Sequence, residues 1–179
     1  MLYFIVAAAL VAAASAWTDI RTGHIPNWLT LPALVCGIVG HFAFGWYLGG
    51  WRTGAWEAVI AVSGAAFCSL APGLLFLRGA MGGGDLKLFA AIGALCQPMI
   101  GIEAEMYAFV VAAVVAPARL AYQGRLLEVL KNSLSLLLNP LRSKQARQEV
   151  PPEMMTWFRL GPAVFVGTAG ALVAHWYAI

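Results

Sequence analysis

Gly79-Ala80-Met81-Gly82-Gly83-Gly84-Asp85-Leu86-Lys87 places a carboxylate at the start of an apolar helix, directly behind three glycines that allow another backbone to come very near. Only one other aspartate occurs in the chain, Asp19, at the end of the first apolar run. Ionisable groups at the edge of a bilayer are costly, and a chain that keeps its two aspartates there reads as one that uses them together.

The surroundings of that stretch set the class. Of 179 residues 61% are hydrophobic and 11% charged, and the mean hydropathy is +0.80, which excludes an ordinary soluble domain. The expectation is an all-α, polytopic membrane protein with about six transmembrane helices in a single embedded domain over residues 1–179. Apolar runs fall at residues 2–18, 28–48, 55–77, 85–101, a fifth ending near 120 after an acidic corner at Glu103 and Glu105, and 160–179. Ala14-Ser15-Ala16 has the form of a signal-peptide cleavage site, but no Lys or Arg precedes the first run, so that run reads as a span.

Asn27 is placed to cap the second helix and Asp85 the fourth. Residues 122–157 form the one long polar segment, in which Leu126, Leu127, Leu130, Leu134, Leu137 and Leu138 make an apolar stripe at helical spacing. Such a stripe suits either the bilayer surface or packing against the spans.

Charge sets an orientation. Arg21, then Arg78 and Lys87, then the basic group from Arg119 to Arg159 fall in the odd-numbered connections, whereas the even ones hold only Arg52. The positive-inside bias makes the odd connections, including the 122–157 loop, cytoplasmic and turns both termini outward. Asp19 and Asp85 then share the cytoplasmic face. The net charge of +3 is thereby a matter of topology and implies no nucleic-acid partner.

Two carboxyl groups brought close cannot both ionise freely and hold one proton between them. The ionised member takes a proton from water as that water attacks a carbonyl, and the protonated member polarises the carbonyl oxygen. Peptide hydrolysis follows with no metal, no cofactor and no covalent intermediate. Gly82, Gly83 and Gly84 would let an extended substrate backbone lie alongside, Arg21 and Lys87 would tune the pair or anchor the topology, and Asn27 is a cap or a substrate ligand. Cys36, Cys68 and Cys96 are isolated, and His24, His41 and His175 lack ligand spacing, so no metal site is readable. A small proton-coupled carrier is the alternative use of paired carboxylates, but it calls for acidic groups near the midplane and an internal repeat.

Thr18-Asp19-Ile20-Arg21 with Ile25-Pro26-Asn27, followed by Met81-Gly82-Gly83-Gly84-Asp85-Leu86-Lys87-Leu88, closely resembles the two signature regions of the type IV prepilin peptidases, membrane aspartic proteases of the G-x-G-D class. The resemblance runs over roughly residues 17–93, with a weaker echo at Leu160-Gly161-Pro162-Ala163, where Leu160 replaces the usual aromatic residue. It implies that Asp19 and Asp85 are a catalytic dyad in a bacterial inner membrane, cutting the basic leader from prepilin or pseudopilin precursors at the cytoplasmic face. The cytoplasmic insert with paired C-x-x-C motifs that accompanies N-methylation in many members has no counterpart here, so no methyltransferase activity is implied. The compact form is similar to the short enzymes of tight-adherence pili.

Overall fold

The computed structural model describes residues 2–124, 127, 130–131 and 159–176, with no strand among them. Four helices follow in order: α1 (Leu2–Thr22), α2 (Asn27–Leu77), α3 (Gly83–Tyr122) and α4 (Gly161–His175). The first three are long and apolar enough to cross a membrane. Contacts gather Met1–Val111 and Arg159–Ile179 into one compact unit and Ala112–Phe158 into a second. Both aspartates lie in the first. In the second, α3 ends where Gly124, at φ +69, donates to the Ala121 carbonyl. Apart from Leu127, Leu130 and Lys131, the expected leucine stripe and the basic run from Arg142 to Arg147 lie outside the described residues.

Helices α2 and α3 are not straight rods. At 1.5 Å per residue α2 would extend about 75 Å, far beyond a ~30 Å hydrocarbon layer. It breaks at Gly49 (φ −147, ψ 18) and Gly50 (φ 78, ψ −175), and Gly50 supplies the left-handed backbone of the reversal. Residues 42 and 54 of a straight helix would stand about 18 Å apart. Here a methyl added to Gly54 would fall 2.6 Å from the Phe42 carbonyl oxygen, so the two limbs fold back on each other.

In α3 the break is Gln97 (φ 61, ψ 173), after which the rings of Phe89 and Phe109 stack across the two limbs at 5.6 Å. The break therefore comes earlier than the corner expected at Glu103 and Glu105. Both glutamates stand inside the second limb, where Glu103 accepts from Tyr107 Oη–H and His175 Nε2–H, each at 2.6 Å, and ties α3 to α4. The physical cause is Pro98, which disfavours helical backbone in the residue before it.

The first limb of α3 is the core. Leu88, Phe89 and residues 91–97 are all buried, so this helix is enclosed nearly all round. Its neighbours reach it through small residues. A methyl on Gly64 would collide with the Gly93 carbonyl oxygen, and one on Gly37 would lie 2.9 Å from the Ala94 carbonyl carbon. Backbone-to-backbone contact of this kind is how helices pack where lipid offers no hydrophobic drive between them. Asp85 thus belongs to the first turn of the most enclosed helix in the unit.

Candidate active site

Helix α1 continues past the expected end at residue 18 and carries Asp19 in its last turns. Thr18 and Thr22 remain helical with their hydroxyls returned to the Ser15 and Thr18 carbonyls at 2.9 and 2.8 Å. Gly23, at φ +67, then closes the helix by donating to the Asp19 carbonyl at 2.9 Å. The connection to α2 shrinks to residues 23–26. Asp19 is buried, with 6% of its surface exposed.

A carboxylate near the C-terminus of its own helix faces the unfavourable end of the helix dipole. The compensation comes from α4. Gly161, the first residue of that helix, donates its backbone N–H to Asp19 Oδ2 at 3.0 Å. The fit leaves no space, since a methyl on Gly161 would lie 2.9 Å from both Cβ and Oδ2 of Asp19. Arg159, just before α4, donates to the Ile20 carbonyl and binds the same corner.

Asp85 is in the first turn of α3, at the favourable end of its dipole, and is not the cap expected from the sequence. The glycines let the helix start earlier. Gly82 accepts the first helical hydrogen bond, from Leu86 N–H at 3.3 Å. Gly84, next to Asp85, lies against Ile25 in the connection that leaves α1. The ends of α1, α3 and α4 therefore meet at one end of the unit and bring both aspartates to it.

The remaining expected site residues are placed differently. Gly84 gives its space to Ile25, whose Cβ and carbonyl oxygen would lie 3.1 and 3.3 Å from an added methyl, and a methyl on Gly83 would lie 3.4 Å from the Phe76 ring. Asn27 does not cap α2: Pro26 holds that position with no side-chain bond, because its extended backbone already starts the helix. Asn27 Oδ1 instead accepts from Lys87 Nζ at 2.8 Å, tying the start of α2 to that of α3. The Arg21 guanidinium lies over the Trp17 ring at 4.2 Å. Neither Lys87 nor Arg21 is engaged with an aspartate.

A family model described as the type IV leader peptidase family matches residues 4–117, well over half of the chain. The chain belongs to the type IV leader peptidase family. It is a protease-type membrane protein, and the family's chemistry is of the aspartic kind. No curated protein and no solved structure gave a match. The matched region of this leader peptidase ends before α4, yet Gly161 and Arg159, which hold the Asp19 corner, come from beyond it. Sequence reasoning left Leu160-Gly161-Pro162-Ala163 without a role. The available signal was a small residue followed by a proline suited to the first helical turn, which marks an N-terminus with a free N–H.

Proposed function

We propose that this leader peptidase is a membrane aspartic endopeptidase that removes the leader from prepilin or pseudopilin precursors, with Asp19 and Asp85 as its dyad. The observation that carries the reading is that the end of α1 with Asp19 and the start of α3 with Asp85, 66 positions apart in sequence, come to one end of the unit, where Gly84 lies against Ile25. Six spans, both termini outward and a cytoplasmic position for the dyad in a bacterial inner membrane complete the proposal. The charge asymmetry of the connections supports that topology.

The pair holds one proton. The ionised carboxylate takes a proton from water, the resulting hydroxide oxygen bonds to the scissile carbonyl carbon, and the other carboxyl passes its proton to the carbonyl oxygen. Collapse of the tetrahedral species breaks the C–N bond and delivers a proton to the leaving amine. The Gly161 N–H occupies one oxygen of Asp19 and fixes its plane, leaving the other free for this exchange. A substrate helix buries its carbonyls in its own hydrogen bonds, so cleavage calls for a stretch that unwinds cheaply at the bilayer edge, such as one with glycine before the scissile bond.

The test is coexpression with a prepilin, following leader removal on a gel. Asp19→Asn and Asp85→Asn each abolish processing while the protein stays inserted in the membrane; full activity in either refutes the dyad. The rate follows a bell in pH, because processing needs one proton on the pair and is lost with two or none.

A further inference from the structure

Phe4 lies about 22 Å along α1 from Asp19 at 1.5 Å per residue, and at that far end the unit holds a second polar cluster. His41 donates from Nε2 to the Leu95 carbonyl at 2.9 Å, which assigns the tautomer because a carbonyl only accepts. His41 Nδ1 then accepts from the Gln97 amide nitrogen at 3.3 Å, and the same nitrogen donates to Glu57 Oε2 at 2.7 Å. Both amide hydrogens are spent, the imidazole is neutral, and the cluster keeps the negative charge of Glu57. Gln97 holds this position in a backbone conformation that is otherwise nearly confined to glycine. A residue kept there against its backbone preference is kept for its side chain.

Above the cluster is a cavity of about 110 Å³, lined by Phe4, His41, Phe44, Leu48, Thr53 and Glu57. None of its polar groups has a donor to spare. The His41 N–H is used on Leu95, and the Thr53 hydroxyl donates to the Gly49 carbonyl at 3.0 Å. An anion would find no N–H or O–H, whereas a donor bearing positive charge would find a carboxylate oxygen. The walls add aromatic rings: Phe4, one face of which is stacked on His41 at 3.9 Å, meets Phe44 edge to face at 6.2 Å, and aromatic faces attract ammonium groups. The volume corresponds to roughly three or four waters, room for a small amine.

The position identifies the source. Trp46, Tyr47, Trp51 and Trp56 are exposed around the reversal beside the cavity, the composition of a bilayer interface at headgroup depth. Two of the lining residues, Phe44 and Leu48, are exposed and apolar, and Arg52, exposed at the same corner, supplies the positive charge a lipid phosphate would meet. We propose that this cavity binds the primary ammonium group of an aminophospholipid headgroup, with Glu57 as its counter-charge.

The experiment uses the full chain in detergent, offered phosphatidylethanolamine and phosphatidylglycerol in equal amounts, with retained lipid read by native mass spectrometry. Phosphatidylethanolamine is retained preferentially. Glu57→Gln, whose amide oxygen still accepts from Gln97, weakens that retention roughly tenfold, since a charge-assisted bond becomes a neutral one. Phe44→Leu, which keeps an apolar wall but loses the ring, weakens it about threefold. Both variants still remove the leader from a prepilin, which shows them folded and separates this site from the dyad. Equal retention of the two lipids, or unchanged retention in Glu57→Gln, overturns the proposal. A third arm adds free ethanolamine: failure to displace the lipid supports the headgroup assignment, and binding as tight as the lipid's overturns it in favour of a soluble amine.

Discussion

The two ends of the first unit hold their acidic groups in opposite ways. At the end with Asp19 and Asp85, the donor is a backbone N–H, from Gly161 to Asp19. At the end with Glu57, the donor is the side chain of Gln97, which is itself tied to His41. A backbone donor cannot swing away and occupies a single oxygen, so it aims a carboxylate without saturating it. A ring of side chains fixes a shape and satisfies its members with one another. The first arrangement suits groups that exchange protons with a substrate; the second suits a fixed cavity.

Substitutions at the two ends should separate these roles. The largest effect is expected for Asp19→Asn and Asp85→Asn, which lower leader removal at least on the order of 10³-fold by removing an acid or a base from the reaction. Glu57→Gln in the same gel assay stays near the unsubstituted rate. A comparable loss there would erase the distinction between the ends.

Gly161→Ala comes next. The added methyl must displace Asp19 from a 2.9 Å contact, and a small misplacement of a reacting group costs about 10²-fold in kcat. Pro162→Ala leaves the Gly161 N–H in place and keeps most of the activity. If both variants are equally slow, the Gly161 N–H is not what aims Asp19.

At the other end, Gln97→Ala keeps the unfavourable backbone and removes the bonds to His41 and Glu57. Gln97→Gly removes the same bonds but relieves the backbone. Thermal unfolding should find the glycine variant the more stable by about 1 kcal/mol, the cost of a left-handed non-glycine residue. Equal melting would mean that Gln97 stores no strain. The smallest effect is expected for Lys87→Gln, because an exposed pairing with Asn27 is worth at most about 1 kcal/mol, and leader removal falls less than about threefold.

Much of this architecture was legible in the sequence because lipid allows few solutions. The long apolar helices and the gap between the runs 28–48 and 55–77, where α2 breaks, followed from hydropathy. The exact start of α3 did not, because three consecutive glycines give no side-chain signal of where a helix begins, and Asp85 is inside the first turn and not before it. Nor did the break at Gln97, since glutamine is an ordinary helix former; only Pro98 hinted at it, while the charges of Glu103 and Glu105 pointed to a corner several residues later. Asn27 was misread for a related reason. Its residue type favours capping, but the extended backbone of Pro26 had already started the helix and left the amide free for Lys87. The role of Gly161 depends on a backbone N–H, a group every residue but proline carries, so only the Gly-Pro start of a helix, and no residue type by itself, pointed to it.

The Gly161 contact also bears on biogenesis. Asp19 is translated early, but the amide that orients it belongs to a segment made 142 positions later. Until the segment that begins at Gly161 has been made and has docked, Asp19 lacks its donor. If the proposed dyad holds, a nascent chain paused in the translocon would carry both acids before Asp19 is oriented, a delay between insertion and cleavage.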